Sequence, residues 1–382
     1  MDRRAFLKAG VLVGATPALT FAQVRADFAR TLILVELKGA NDGLNTVVPF
    51  ADPHYYRLRP RIAIRREEVV QLSADTGLHP ALAPLQPLWS AGELSIVRGV
   101  GYPQPNLSHF RSIEIWDTAS RSDEYRSDGW LARAFAEHPV PAGFAADGVV
   151  VGSAELGPLA GVGARAVTLA TTEQFQRQAR LAQGGAPAAR GPLAHIVKVE
   201  ADIVEAARGL GSTSRVLRTE FPNHAFGNAV KTAMQVLASD RGVPMIRLSL
   251  GGFDTHQNQP GTHANLLKQL AEGLVALRSG LLELGRWESS LVMTYSEFGR
   301  RVAENGSNGT DHGTAAAQLV LGGRVKGGLL GPAPRLDDLD GGNLRFAIDF
   351  RSYYATALER WWGIGSANAL GGRFAPLDLL RA

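Results

Sequence analysis

The chain has 382 residues, 45% of them hydrophobic and 20% charged, with 43 Gly, no Cys and a formal charge of +4. That length permits a large buried core without covalent staples, and the absence of thiols excludes disulfides, zinc ribbons, iron–sulfur clusters and a thiolate nucleophile. Half of the charge surplus lies in the first 22 residues, as Arg3, Arg4 and Lys8 against Asp2. The remainder is small and scattered, which gives no electrostatic footprint for nucleic acid.

The chain opens Asp2-Arg3-Arg4-Ala5-Phe6-Leu7-Lys8 and continues through a weakly apolar stretch, Gly10 to Ala22, that ends Thr20-Phe21-Ala22. Paired arginines, a moderate apolar core and small side chains at 20 and 22 resemble a twin-arginine export signal over residues 1–22, with cleavage near Ala22. The expectations are passage through the twin-arginine translocase and a periplasmic or secreted location. Nothing later in the sequence reaches the roughly 18 uncharged apolar residues that a membrane-spanning helix needs.

Residues 23–382 read as a single domain. Thr31–Leu37 is a short apolar run broken at Lys38-Gly39-Ala40-Asn41-Asp42-Gly43, the pattern of a buried strand and a glycine-permitted turn. A second strand, Leu94–Val100, leads through a Pro/Asn loop to Ser108, where a helix spanning His109 to Ala119 begins. Residues 143–191, rich in Gly, Ala and Pro, read as strands and an insertion, and a helical pattern runs from His195 to about Ser239.

Met245–Leu250 is another strand and breaks at Gly251-Gly252-Phe253-Asp254-Thr255-His256. Thr262–Leu284 is the clearest helix: Leu266, Leu267, Leu270, Leu274, Leu277, Leu281 and Leu284 form one face and Gly285 closes it. Ser290–Tyr295 forms a strand ending at Ser296-Glu297-Phe298-Gly299-Arg300, and a polar loop carries the chain to Thr310-Asp311-His312-Gly313. A Pro/Gly-rich tail segment and a helix from Phe350 to Trp362 finish the chain. Strands alternating with long helices predict one three-layer α/β domain.

Asp42, Asp254, His256, Glu297, Asp311 and His312 all lie in glycine-flanked loops beside apolar runs, and a parallel sheet would bring those loops to one edge. Carboxylates and imidazoles are the ligands of a hard or borderline divalent ion. Asp254 and His256 share one face of an extended segment and can reach the same ion, whereas Asp311 and His312 can divide between ion and supporting contacts. His263, in the first turn of the leucine helix, is either a further ligand or an ordinary helix-start histidine. Ser108-His109 offers a nucleophile, or a plain helix cap, at a helix N-terminus whose N–H groups favour an anion. Arg300 and Arg301 either bind anionic oxygens or neutralise the nearby carboxylates. His54, His79, His138, His195 and His224 read as structural.

Leu37-Lys38-Gly39-Ala40-Asn41-Asp42-Gly43-Leu44-Asn45, Asn106-Leu107-Ser108-His109-Phe110, Gly251–His256, Ser296–Arg300 and Gly309-Thr310-Asp311-His312-Gly313 together resemble the exported bacterial family known as domain of unknown function 1501. The resemblance implies an alkaline phosphatase- or sulfatase-like fold, three-layer α/β/α with a mainly parallel central sheet and a metal-binding edge. It also implies that Asp42, Asp254, His256, Asp311 and His312 hold metal, with His263 and Glu297 as substitutes, and that Ser108 is the nucleophile, with His109 and Arg300 beside it. Trp116-Asp117-Thr118-Ala119 is similar to the stretch downstream of the phosphatase nucleophile. The chain departs from the wider pattern in the close spacing of Asp254 and His256 and in having no later histidine after His312.

Two functions follow as expectations. One is an exported hydrolase of small phosphate or sulfate esters that uses a divalent ion, zinc, calcium, magnesium or manganese. The other is a non-catalytic exported protein that keeps the fold and binds an envelope partner.

Overall fold

The structure is a computed structural model and describes residues 26–171, 174, 177, 202–210 and 215–381. The twin-arginine segment and His195 lie outside the described residues. The central sheet is built from β1 (Thr31–Lys38), β2 (Leu94–Gly101), β3 (Gly148–Val151), β4 (Ala166–Leu169), β5 (Met245–Gly251), β6 (Ser290–Tyr295), β7 (Ala316–Leu321) and β8 (Gly328–Leu330). Their spatial order is β8-β2-β7-β6-β1-β5-β3-β4, and the short strand Ile348–Asp349 also pairs with β2. Every pairing in the sheet is parallel except the two made by β7, which runs against both β6 and β2.

β1 is buried along almost its whole length, as expected of a central strand covered on both faces. Its alternate residues divide between two cores. Ile33, Val35 and Leu37 pack on one side with α3 (Ala225–Leu237) and α4 (Gln259–Glu283). Leu32 and Leu34 pack on the other with α1 (His109–Thr118), α2 (Trp130–Glu137) and α5 (Phe350–Ala355). The result is the expected α/β/α sandwich.

α4 starts three residues earlier than the leucine pattern alone predicts, because Pro260 sits in its first turn, where proline's fixed φ suits a helix start. The Phe350 helix widens into a π-helical turn at Thr356–Trp361. Of the Gly/Ala/Pro-rich segment, residues 143–171 contribute β3 and β4 at the sheet edge, and most of the rest lies outside the described residues. The excursion that the sequence reading did not anticipate lies between β1 and β2. There a small three-stranded sheet and the side chains of Leu44, Val48, Phe50 and Tyr55 pack on Val302, Ala315 and Leu336.

Parallel strands place their carboxyl ends on one edge. β1 delivers Gly39 to Asp42 there, β5 delivers Asp254 and His256, β6 delivers Glu297, and β2 leads to His109. Because β7 runs the other way, the loop that precedes it brings Asp311 and His312 to the same edge.

Candidate metal centre

Three side chains from three different loops converge at that edge. His109 Nε2, Asp254 Oδ1 and His312 Nε2 lie 3.0, 3.3 and 3.4 Å apart. Four ligands held at 2.0–2.1 Å around a tetrahedral zinc ion stand about 3.3 Å from one another, so this triangle matches one face of such a site. His256 Nε2 approaches two of the same atoms, at 2.9 Å from His312 Nε2 and 3.0 Å from Asp254 Oδ1.

The outer nitrogens decide which way the imidazoles act. His312 Nδ1 lies 2.8 Å from the Leu107 carbonyl, which can only accept, so that nitrogen carries the proton. His109 Nδ1 donates to Glu297 Oε1 at 2.7 Å, and His256 Nδ1 faces Asp311 Oδ1 at 3.4 Å. With Nδ1 protonated in each ring, the Nε2 lone pairs point at one another and at a carboxylate oxygen. Such a convergence repels itself unless a metal ion or a second proton on one of the rings sits within it, and hydrogen-bonded outer nitrogens are the usual support of metal-bound histidines.

Charge around the cluster is consistent with that arrangement. Desolvation opposes ionisation of Asp254, but the Arg300 bond together with the nearby Arg300 and histidine charges outweighs it and holds the carboxyl at about 2. The Glu297 bond raises the pKa of His109, burial lowers that of His312, and the Asn305 hydrogen bond lowers that of Asp311.

The loops can approach one another this closely because of two glycines. Gly39 has φ +109°, and a Cβ there would stand 2.6 Å from the Asp254 backbone nitrogen. A Cβ on Gly309 would stand 2.3 Å from the His256 carbonyl carbon. Phe298 fills the gap between two of the rings, its centroid 4.9 Å from those of both His109 and His312.

The other residues singled out in the sequence are placed differently. Glu297 is buried behind His109 and accepts from the Gly39 N–H at 2.9 Å, so it orients a ring rather than facing the cluster centre. Asp311 stands behind His256 in the same way.

Asp42 does not join the cluster. One oxygen caps the Gly43–Thr46 turn through Leu44 N and Asn45 N, and the other takes 2.5 Å bonds from Arg59 and Gln259. Burial opposes its charge, yet the Arg59 ion pair keeps its pKa below the usual value. His263 is likewise turned elsewhere, bonded at 2.9 Å to Asn41, and burial drives its pKa down to about 3.

Arg300 is fully buried. Its guanidinium is occupied by Gly39, Ala40, Phe253 and Thr310 carbonyls and by Asp254 Oδ1, so it cannot meet substrate oxygens. Ser108 is exposed and stands at the α1 N-terminus, where its hydroxyl makes no capping bond. His109, expected beside a nucleophile, instead belongs to the ring cluster. Phe298 and Asn305 also belong to the site, although neither stands out in the sequence as a candidate. Phe298 carried no signal of its own, whereas Asn305, in the polar loop before Asp311, could have been suspected from its loop.

The cluster borders a cleft of about 680 Å³ lined by His109, Asp254 and Glu297 at the cluster side and by Lys38, Arg126, Asp117 and several apolar and glycine residues beyond. Lys38 pairs with Glu155 at 2.9 Å across its rim.

Fold and site together define a three-layer α/β protein with an imidazole–carboxylate centre at the carboxyl edge of its sheet. The chain belongs to the family described as "Protein of unknown function (DUF1501)", whose model matches residues 94–338. No curated protein matches it. Among solved structures it is similar to the C-terminal periplasmic domain of EcEptC from Escherichia coli in complex with Zn, at 12% identity and TM-score 0.37, covering 77% of this chain and 72% of that one. It is also similar to a protein in the alkaline phosphatase superfamily from Vibrio parahaemolyticus, at 10% identity and TM-score 0.36 over 82% of this chain and 64% of that one. A third is the phosphonate monoester hydrolase of Agrobacterium radiobacter, at 9% identity and TM-score 0.37, over 90% and 78%.

Proposed function

We propose that this chain is an exported, metal-dependent hydrolase of phosphate or sulfate esters. The observation that carries the reading is the convergence of the His109, Asp254 and His312 donor atoms within 4.8 Å of one another beside an open cleft. Asp254 and His256 side chains are 47% and 42% exposed, which suits a centre that substrate must reach better than a closed structural site. Nitrogen-rich donors favour zinc or manganese over calcium and magnesium, which prefer oxygen.

A divalent ion held here would supply positive charge where the ester's oxygens gather. The chain's own residues do the rest. Lys38 and Arg126 line the cleft paired with Glu155 and Glu124, and it is the exposed N–H groups at the α1 N-terminus that favour an anionic group. Ser108, with an uncommitted hydroxyl at that terminus, is the nucleophile: its Oγ bonds to phosphorus or sulfur as the bond to the departing alcohol breaks, the hydroxyl proton leaves with that alcohol, and water then cleaves the seryl ester to restore the hydroxyl. Glu297 and the Leu107 carbonyl hold the His109 and His312 rings in place. The twin-arginine pattern of residues 1–22 supports a location outside the cytoplasm.

The test is turnover of 4-nitrophenyl phosphate and 4-nitrophenyl sulfate by the metal-loaded protein, by the chelator-treated protein and by Ser108→Ala. The expected result is metal-dependent release of nitrophenol that falls at least about 100-fold in Ser108→Ala. Unchanged turnover in that variant would transfer the nucleophile's role away from Ser108. Bound metal with no turnover across an ester panel would favour the non-catalytic envelope protein.

A further inference from the structure

The cleft beside the metal centre has a direction. His109, Ile113 and Asp117 stand at i, i+4 and i+8 on α1, so they share one helix face, and all three line the cleft. Eight residues of α-helix span about 12 Å, so the cleft continues two helical turns past the ring cluster.

Its walls change character along that path. Phe110 is 90% exposed next to His109, and Ile113 and Leu156 follow it. Large aromatic groups left in water beside a polar centre mark a place where an apolar ligand is received. The lining also includes Gly251 and Gly252, and a Cβ added at Gly251 would meet nothing within 4 Å. Backbone without side chains leaves the room there.

The far end is polar. Asp117 Oδ1 is buried with no hydrogen-bond partner among the described residues. Burial, aided by the Glu36 charge and opposed by Arg247, pushes the Asp117 carboxyl up to about 8. A neutral carboxyl places no net charge against an apolar chain that reaches it.

Resting on the hydrolase reading above, we propose that the substrates are phosphate or sulfate monoesters of long apolar alcohols. The anionic group seats at the His109–Asp254–His312 end, and the alcohol portion lies over Phe110 and Ile113 toward Asp117. Phe110 is then a specificity-determining residue.

The experiment is calorimetric binding of n-alkylphosphonates, from methyl to decyl, to the metal-loaded protein. These ligands are not hydrolysed, so the result does not depend on turnover. Affinity is expected to rise by about two- to fourfold per added methylene until the chain fills the cleft. Phe110→Ala, at an exposed position that bears little on folding, should weaken decylphosphonate by about tenfold and leave methylphosphonate unaffected. Gly251→Phe should block the long ligands selectively.

Affinity independent of chain length, the same loss for methyl and decyl ligands in Phe110→Ala, or no binding of any of them would overturn the proposal. Chain-length-dependent binding without turnover of any ester would uphold the apolar cleft and overturn the hydrolase reading instead.

Discussion

The guanidinium of Arg300 reaches five acceptors drawn from the loops after β1, after β5 and before β7: Gly39, Ala40, Phe253 and Thr310 carbonyls and the Asp254 carboxylate. A planar fork with fixed donor directions can tie three loops at once, whereas an ammonium cannot. Arg300 therefore positions Asp254, whose Oδ1 accepts from it at 2.7 Å, and is itself turned away from the cleft. Arg300→Lys keeps the charge but loses the fork, and losing such supporting bonds commonly weakens metal binding by about 10- to 100-fold. A zinc titration of the folded variant against wild type checks this, and equal affinities would show that Asp254 is held by other means. Arg300 sits close to the acidic cluster in the sequence, but its turn away from substrate depends on the carbonyls of Gly39, Ala40 and Phe253, more than 40 residues away. Gln259, 217 positions away, and Arg59 divert Asp42 in the same hidden way.

Helix α4 shows how much an element reveals of itself. Its leucine face was plain in the sequence because periodic burial leaves a periodic pattern, and Leu266, Leu267, Leu270, Leu274, Leu277 and Leu281 are buried as that pattern requires. β1, β2, β5 and β6 are equally legible, since strands covered on both faces appear as short, mostly apolar runs bounded by glycine-rich turns. β7 was not singled out: Ala316-Ala317-Gln318 begins it too weakly, and its reversed direction depends on neighbours rather than on composition. His263 on α4 looked like a ligand, yet its partners Asn41 and the ring of His79, 5.9 Å away, come from elsewhere. Burial leaves both imidazoles neutral in the fold, with His263 at about 3 and His79 at about 4. The unfolded chain takes up those protons near pH 6.5 and the folded protein does not, so stability falls as pH drops from 6.5 toward those values. The slope approaches about 1.4 kcal/mol per pH unit for each ring. Urea melts at pH 7 and pH 5 should show this loss, and His263→Gln should reduce the slope. Equal slopes would mean that the ring is already charged in the fold.

For the whole molecule, one topological choice assembles the centre. Parallel β2, β5 and β6 deliver their loops to one edge, and antiparallel β7 presents at that edge the loop that precedes it, so His109, Asp254, Glu297 and His312 meet although His109 and His312 stand 203 positions apart. The residue types of the site were legible because acidic and imidazole side chains in glycine-rich turns are conspicuous. The membership was not, since Asp42 and His263 carry the same local signature as Asp254 and His312. The account rests on a bound ion, and element analysis of the mature protein tests it most directly. It predicts a divalent metal in stoichiometric amount, with zinc or manganese expected, and its loss in His312→Ala. Wild-type protein that holds no metal after zinc or manganese loading, or metal retained in full by both His109→Ala and His312→Ala, would contradict it.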